Sequence, residues 1–327
     1  MLVIGGTAFI GRHTVEAAIE RGYEITLFTR GQTNPKLFPE LEHVHGDRDG
    51  GLGGLASRSW DVVLDTSGYV PRVVRQSVEL LEPNIGTYLY VSSLSVYGNF
   101  SVKGLTENSP LVGPPNPLDD ETMANYGPLK ALCEPEVTKV FPDRSTLYRA
   151  HITVGPFDNG LAMPRMLERV ADGGAIVAPG SPDDPVQWID ARDLAEFMLD
   201  TYEKGTTGVF NVGCEPMSMG EVLTAAVEVL GNNAELVWCD EDFLLAHGVM
   251  PGAGPPMWMP KNGPGSGLNA IDVSKAYAQG LRCRPAIDSI RDTWEWLASG
   301  AERKLLVDVP LVWTAERQRE LVAARRA

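Results

Sequence analysis

The fold is decided by Leu2-Val3-Ile4-Gly5-Gly6-Thr7-Ala8-Phe9-Ile10-Gly11, near the start of the 327-residue chain. The first three residues form an apolar run typical of a buried strand, and an amphipathic segment carrying Val15, Ala18 and Ile19 follows. Small residues between a strand and a helix let the backbone approach a pyrophosphate, and the free N–H groups of the helix start favour an anion. The stretch therefore predicts a nucleotide-binding strand–loop–helix unit, with Gly22 ending the helix.

Short apolar runs continue to alternate with amphipathic segments, which predicts βαβ units and a parallel sheet. Strands are expected at 2–4, 24–28, 43–45, 61–65, 87–92, 145–149 and 208–211, and helices at 71–81, 126–140, 190–202 and 219–230. The fold class is therefore α/β, a Rossmann-type doubly wound parallel sheet with a smaller C-terminal α/β region that binds substrate. We place the nucleotide-binding domain at 1–155, with elements from about 185–213 returning to it, and the mainly substrate-binding region at 156–327.

Composition and charge narrow the class of protein. With 43% apolar and 22% charged residues the chain has the composition of an ordinary globular protein, and no apolar run is long enough to cross a membrane. The first residues lack a basic region, so no secretory signal is expected. A net charge of −15 repels nucleic acids and anionic membranes, so neither is an expected partner.

The four cysteines are widely spaced and include no Cys-x-x-Cys pair. This spacing favours reduced thiols in a cytoplasmic protein over a disulfide framework, and no metal site is predicted. The cysteines are Cys133, Cys214, Cys239 and Cys283.

The end of the second strand indicates which nucleotide binds. An Asp or Glu at this position accepts from the ribose 2′-OH of NAD, whereas an arginine accommodates the 2′-phosphate of NADP. The strand ends Phe28-Thr29-Arg30-Gly31 without an acid, so Arg30, helped by Arg12 or Lys36, predicts NADP(H) over NAD(H). The alternative is that Arg30 is only a solvated turn residue.

A candidate catalytic pair lies in Tyr126-Gly127-Pro128-Leu129-Lys130. Residues four apart share one face of a helix, so Tyr126 and Lys130 are expected to be neighbours. A free tyrosine has a pKa of about 10, and a nearby ammonium lowers this value because it stabilises the phenolate. The pair therefore predicts proton-transfer chemistry near neutral pH.

Two of these segments resemble the extended short-chain dehydrogenase/reductase superfamily. The loop at 5–11 resembles its G-x-x-G-x-x-G loop, with Ala8 replacing the middle glycine. The segment Tyr88-Leu89-Tyr90-Val91-Ser92-Ser93-Leu94-Ser95-Val96-Tyr97-Gly98 resembles its fifth strand, in which the catalytic Ser or Thr lies four residues before Tyr-Gly, and this register identifies Ser93. The resemblance covers roughly the first 215 residues.

The resemblance implies a Ser93–Tyr126–Lys130 catalytic set and a bound dinucleotide. Tyr126 would move the proton, Lys130 would lower its pKa and bond the nicotinamide ribose, and Ser93 would polarise the substrate heteroatom. Asp47, in the segment after strand three, would lie beside the adenine. The implied cofactor contacts are Gly5, Thr7, Ala8, Phe9, Ile10, Gly11, Thr29, Arg30, Asp47, Ser67 and Lys130.

Departures from the family patterns restrict the reaction. Sugar-nucleotide dehydratases carry acids just after the catalytic Thr, where this chain has Leu94 and Ser95, so dehydration is disfavoured. Epimerases of sugar nucleotides often carry an Asn where this chain has Ile152, which disfavours a nucleotide sugar. The leading hypothesis is an NADP(H)-dependent oxidoreductase of a small carbonyl, alcohol or imine. The alternatives are an NAD(P)-dependent epimerase of a sugar or sugar-like substrate, and a non-catalytic nucleotide-sensing or RNA-binding protein.

The second half supplies three candidate substrate contacts, His151, Trp188 and Trp258. A packed histidine at a strand end is an equally good reading of His151. The Pro- and Gly-rich stretch Met250–Gly267 is either a lid over a pocket or a surface connection packed by its own side chains. A homodimer would be in keeping with the resemblance.

Overall fold

The computed structural model describes residues 1–116, 120–158, 162–251, 254–300 and 313–327. The strands are β1 Leu2–Ile4, β2 Thr26–Thr29, β3 Glu42–His45, β4 Trp60–Asp65, β5 Ile85–Ser93, β6 Ser145–Ala150, β7 Thr153–Val154, β8 Ala175–Pro179, β9 Pro185–Val186, β10 Ile189–Asp190, β11 Gly208–Val212, β12 Met217–Ser218 and β13 Glu235–Cys239. The helices are α1 Phe9–Glu20, α2 Pro71–Leu81, α3 Tyr126–Val140, α4 Ala162–Ala171, α5 Ala191–Glu203, α6 Met219–Leu230, α7 Glu241–Ala246, α8 Ser274–Ala278, α9 Ala286–Ala298 and α10 Ala315–Arg326. None of these helices is long and apolar enough to cross a bilayer.

Seven parallel strands form the central sheet in the order β11-β6-β5-β4-β1-β2-β3. The chain runs outward from β1 to β3 and then crosses back to β4 on the other side of β1. Open α/β sheets bind ligands at the carboxyl ends of the strands where the order reverses. The topology therefore places the candidate site at the ends of β1 and β4. The predicted Rossmann-type fold is confirmed.

Side chains alternate between two cores across the sheet. On β5, Tyr88 and Tyr90 belong to the core beneath α2 and α3, whereas Leu89 and Val91 belong to the core beneath α1 and α5. Because both faces of a parallel sheet are covered by helices, its strands read as continuous apolar runs. This explains why the central strands could be predicted from the sequence.

Element boundaries follow pairing rather than local composition. The predicted second strand began at Glu24, whereas β2 begins at Thr26, because Thr26 pairs with Leu2 at the start of β1. Helices α2, α3 and α6 have the predicted boundaries. Gly22 follows the end of α1 with a φ of 79°, which is the left-handed conformation expected of a helix-ending glycine.

The second half of the chain adds short strand pairs and helices, and β11 returns to the central sheet. β8 pairs in parallel with β13, β7 with β10, and β9 runs antiparallel to β12.

The prediction of four reduced thiols is wrong, because Cys214 and Cys283 form a disulfide with their Cα atoms 5.7 Å apart. The partners are separated by 69 residues, so only the fold reveals their proximity. Cys133 and Cys239 are free and buried.

The described part of the segment Met250–Gly267, which excludes residues 252–253, contributes two side chains to the main hydrophobic core. Met257 and Trp258 are buried, at 4% and 1% exposure. The backbone N–H of Gly267 donates to the Phe100 carbonyl at 2.6 Å, which ties the segment to the body of the protein. Of the two predicted alternatives, these contacts fit the packed surface connection.

A buried ion pair joins α3 to β6. The carboxylate of Glu134 accepts two hydrogen bonds from Arg149, at 3.0 and 2.7 Å, and a third from the Ser92 hydroxyl at 2.6 Å. Both charged residues are almost fully buried, at 5% and 4% exposure. Removing one partner would leave the other charge in the core without compensation.

We expect Glu134→Ala to lower the free energy of unfolding by about 3–5 kcal/mol, because it strands the Arg149 guanidinium. Glu136→Ala is a matched control two positions along the same helix, since Glu136 pairs with the half-exposed Arg75. The control should cost less than about 1 kcal/mol. Urea unfolding followed by circular dichroism measures both, and equal losses would contradict the assignment.

Candidate active site

A cleft of about 410 Å³ lies at the carboxyl ends of β1, β2, β3 and β4. Ten of the eleven predicted cofactor contacts line it, and Lys130 is the exception. The ten are Gly5, Thr7, Ala8, Phe9, Ile10, Gly11, Thr29, Arg30, Asp47 and Ser67. The structure thus brings together residues from the glycine-rich loop and from the ends of three further strands.

The glycine-rich loop leaves no room for side chains at two positions. Gly5 has a φ of 112°, and a Cβ there would lie 2.3 Å from the Thr66 hydroxyl. A Cβ on Gly11 would lie 2.6 Å from the backbone nitrogen of Gly6, so this glycine lets α1 pack directly on the loop. Ala8, the departure from the family loop, has an extended φ of −136°, which alanine adopts without strain.

The loop and helix start fit the diphosphate of a dinucleotide. Ala8 caps α1 without a side-chain hydrogen bond, so no side chain of the cap competes for the helix's first N–H groups. Arg30 is exposed at the cleft and makes no ion pair with any other described residue. Arg12 does not line the cleft, and its guanidinium pairs with Glu16 at 2.8 Å and lies 3.4 Å from the ring centre of Phe157. Lys36 does not line the cleft.

Sequence analysis missed a buried ion pair in the cleft wall. Arg48 lines the cleft and donates two hydrogen bonds to Asp65, at 2.7 and 2.8 Å. Asp65 is fully buried and also accepts from the Tyr88 hydroxyl at 2.9 Å and the Ser67 N–H at 3.0 Å. In the sequence, Arg48 was marked only by its position next to Asp47. Its partner Asp65 lies seventeen residues away at the end of β4, so the pair could not be recognised.

The predicted hydroxyl pair is present beyond one end of the cleft. The Ser93 and Tyr126 side chains are neighbours, and the Ser93 hydroxyl accepts from the N–H of Ser95 at 3.1 Å. Tyr69 lines the cleft, and its ring centre lies 6.1 Å from that of Tyr126. The hydroxyl pair therefore lies one aromatic ring away from the cleft. Two hydroxyls so placed can bind one carbonyl or alcohol oxygen and exchange a proton with it.

The prediction that Lys130 lowers the pKa of Tyr126 is wrong in this structure. The ammonium is 1% exposed and donates to the carbonyls of Gly68 and Val91, at 2.8 and 2.5 Å, and to the Tyr90 hydroxyl at 3.0 Å. All three of its N–H donors are thus committed. Burial raises the pKa of Tyr126 above its usual value, and the neighbouring Ser93 hydroxyl only partly opposes the rise. Burial also lowers the pKa of Lys130 to about 8.

The three predicted substrate contacts are packed inside the protein and do not line the cleft. Trp188 and Trp258 are each 1% exposed. His151 accepts at Nδ1 from the N–H of Ile152 at 2.7 Å and therefore donates from Nε2 to the Leu268 carbonyl at 2.7 Å. It is a neutral core histidine, which was the alternative reading. Trp188 and Trp258 are buried because they belong to a hydrophobic core that both halves of the chain form together.

Comparison with known proteins agrees with this geometry. The model of the NAD dependent epimerase/dehydratase family matches residues 1–52 and 72–213. The chain belongs to this family. This family member also has the fold of the extended short-chain dehydrogenases/reductases, as the resemblance implied.

Solved structures with the same fold include sugar-nucleotide epimerases. The UDP-glucuronic acid 4-epimerase from Bacillus cereus in complex with NAD is 16% identical, covers 96% of this chain and 99% of its own, and has a TM-score of 0.68. The UDP-Glc/GlcNAc 4-epimerase from Campylobacter jejuni is also 16% identical, with coverages of 91% and 98% and a TM-score of 0.68. At this identity they establish the fold alone.

A curated relative is the chloroplast stem-loop binding protein of 41 kDa b from Arabidopsis thaliana. It is 26% identical over an alignment of 236 residues, and the alignment covers 66% of this family member. The match spans 58% of the length of that relative.

We expect His151 to make the free energy of unfolding depend on pH in the acid range. Burial lowers the pKa of His151 to about 4, whereas the unfolded chain takes up this proton below about pH 6.5. The free energy of unfolding should therefore fall between about pH 6.5 and pH 4, with about 3 kcal/mol of the fall due to this residue.

Urea unfolding at several pH values measures this fall. His151→Gln should show a shallower decline than the parent, whatever its stability near pH 7. His247→Gln, at an exposed histidine, is the control and should keep the parent slope. Parallel declines for all three proteins would refute the assignment.

Proposed function

We infer that this protein is an NAD(P)-dependent enzyme that transfers hydride at a secondary alcohol or ketone, and we favour the epimerisation of a sugar or sugar-like substrate. The observation that carries this proposal is the neighbouring pair of Ser93 and Tyr126 hydroxyls beside the cleft. Membership of the epimerase/dehydratase family supports epimerisation over simple reduction. Leu94 and Ser95 after the catalytic serine provide no acid for dehydration.

The chain's own residues would handle the proton and the orientation of the substrate. The residues that line the cleft would hold a nicotinamide dinucleotide, which would supply a reversible hydride acceptor for the carbinol carbon. Tyr126 would take the hydroxyl proton as its phenolate while the alcohol becomes a ketone, and it would return the proton when hydride adds to the opposite face of the ketone, so no net oxidation remains. Because burial raises the pKa of Tyr126, the phenolate is the minor form that this step requires. Ser93 donates to the same oxygen and holds it in place. Tyr69 separates this oxygen from the open cleft.

Lys130 supports this chemistry from within the protein. Its ammonium is already held by three acceptors, so we propose that it fixes α3 against β5 and the loop after β4. A contact with the nicotinamide ribose would require it to exchange one of these acceptors.

The second candidate is an NADP(H)-dependent reductase of a small carbonyl or imine. Arg30, which is exposed at the cleft without an ion-pair partner among the described residues, favours a cofactor with a 2′-phosphate. Ile152 at the position where epimerases often carry an Asn also favours a substrate without a diphosphate.

Turnover of the cofactor separates the two candidates. The protein is incubated with a panel of sugars, sugar nucleotides and small carbonyl compounds, and the absorbance of reduced nicotinamide is followed beside product analysis by NMR. An epimerase forms an epimer while the absorbance returns to its starting value. A reductase consumes NADPH in proportion to product. Binding of neither NAD(H) nor NADP(H) would refute both.

For either reaction we expect Tyr126→Phe to reduce kcat by at least about a hundredfold, because the hydroxyl that moves the proton is removed. The dissociation constant for the cofactor should stay within a few-fold. Tyr23→Phe is the control, since the Tyr23 hydroxyl bonds Glu203 on the far side of the sheet. Full biological activity of Tyr126→Phe would instead favour a non-catalytic role.

We expect Arg30→Ala to weaken the binding of NADPH by about tenfold and that of NADH by less than about twofold, because a charged hydrogen bond to the 2′-phosphate contributes about 1.5–3 kcal/mol. Fluorescence titration measures both. Lys36→Ala removes a nearby cation that does not line the cleft, so it should bind both cofactors as the parent does. Equal losses of the two cofactors in Arg30→Ala would contradict NADP preference.

RNA binding is the third candidate, because the Arabidopsis thaliana relative is named a stem-loop binding protein. The net charge of −15 opposes it, since affinity for a phosphate backbone depends on neutralisation by Lys and Arg. We therefore place it behind both enzyme candidates.

A further inference from the structure

Arg48 is held in the cleft wall with its plane fixed. Its four terminal N–H donors are all used, in two bonds to Asp65 at 2.7 and 2.8 Å and single bonds to the hydroxyls of Ser67 and Ser77 at 3.3 and 3.1 Å. These bonds lie at the edge of the guanidinium, so its two flat faces remain free of hydrogen bonds. The side chain is 12% exposed, and the residue lines the cleft.

The arrangement is not explained by stability alone. Asp65 is fully buried, and a buried ion pair often stabilises a protein no more than well-packed apolar side chains do. The Nε–H of Arg48 is buried and has no partner among the described residues, which is itself unfavourable. Unfavourable arrangements of this kind are concentrated at functional sites.

The position of Arg48 identifies the part of the ligand that it would meet. It directly follows Asp47, and Thr29 and Arg30 lie at the end of the neighbouring strand β2. A dinucleotide whose diphosphate lay on the glycine-rich loop would have its adenosine half next to these residues. The hydroxyls of Ser93 and Tyr126 lie beyond the other half.

We propose that Arg48, oriented by Asp65, is a flat platform on which the adenine ring of the cofactor packs. A guanidinium stacks on an aromatic ring through its face while its edge keeps its hydrogen bonds. Asp65 is then a positioning residue, because it reaches the ligand only through Arg48. This inference rests on the proposed function, since it requires a dinucleotide in the cleft.

Arg48→Lys tests the platform without removing the charge that Asp65 requires. Lysine can still pair with Asp65, but it has no flat face to stack on a purine. We expect it to weaken the binding of NAD+ and of ADP by the same factor, about tenfold, which corresponds to about 1.4 kcal/mol. Isothermal titration calorimetry of both ligands measures the factor, so no turnover is needed.

Arg192→Lys is a matched control. Arg192 also binds a fully buried carboxylate, Asp190, through two nitrogens at 2.9 and 2.8 Å, but it does not line the cleft. The Arg192→Lys variant should bind both ligands within about twofold of the parent.

If Arg48→Lys does not fold, as judged by circular dichroism, the double variant Arg48→Met/Asp65→Asn takes its place, because this change removes both charges together.

The outcomes separate this inference from the proposed function. Parent affinity for ADP in folded Arg48→Lys, or in the double variant used in its place, overturns the platform. A loss for NAD+ that is absent for ADP also overturns it, because Arg48 would then act on the nicotinamide half. If the parent protein binds neither NAD+ nor NADP+, the proposed function fails, and the platform fails with it. Equal tenfold losses, with the control unchanged, support the platform.

Discussion

A cation removed from water needs hydrogen-bond acceptors, and one segment supplies acceptors to both buried cations beside the cleft. This segment runs from Asp65, the last residue of β4, to Tyr69. The Asp65 carboxylate and the Ser67 hydroxyl hold Arg48, while the Gly68 carbonyl holds Lys130. The segment therefore connects the cleft wall to the helix that carries Tyr126. Each cation alone would be costly, because an uncompensated buried charge destabilises a fold by several kcal/mol.

The chemistry of the same segment sets how this part of the protein responds to acid. Burial opposes the ionisation of Asp65, but the charge and hydrogen bonds of Arg48 outweigh burial and hold the pKa of that carboxyl below its usual value. A lowered carboxyl pKa contributes stability above the unfolded value of about 3.9 and loses it as the pH falls through the folded value. The pair is thus intact near neutral pH, where the cleft would bind a dinucleotide.

The family relationship and the local chemistry constrain different parts of the function. Family membership and the glycine-rich loop concern the cofactor, for which Ala8 is no obstacle because its backbone is extended. The proposed reaction rests on the neighbouring hydroxyls of Ser93 and Tyr126. The two tryptophans and the histidine that the sequence offered as substrate contacts are buried, so they do not indicate where a substrate would bind.

Local sequence determined the elements and their order. Apolar runs predicted the central strands, and helices α2, α3 and α6 have the predicted boundaries. Ten of the predicted cofactor contacts lie together in one cleft because they lie at or after the ends of strands that could be recognised, and parallel strands end at one edge of the sheet. Residues whose predicted role depends on their place in one loop or at one strand end could therefore be identified from the sequence.

Only the tertiary structure decided which side chains became partners. Lys130 shares a helical face with Tyr126, yet its long side chain turns to acceptors 39 to 62 residues away in the chain. Arg48 finds Asp65, Cys214 finds Cys283, and His151 becomes a neutral core residue, each through packing between distant segments. Periodicity is a property of neighbouring residues, whereas the pairing of buried charges depends on the whole fold, so the sequence could identify these residues without showing their contacts.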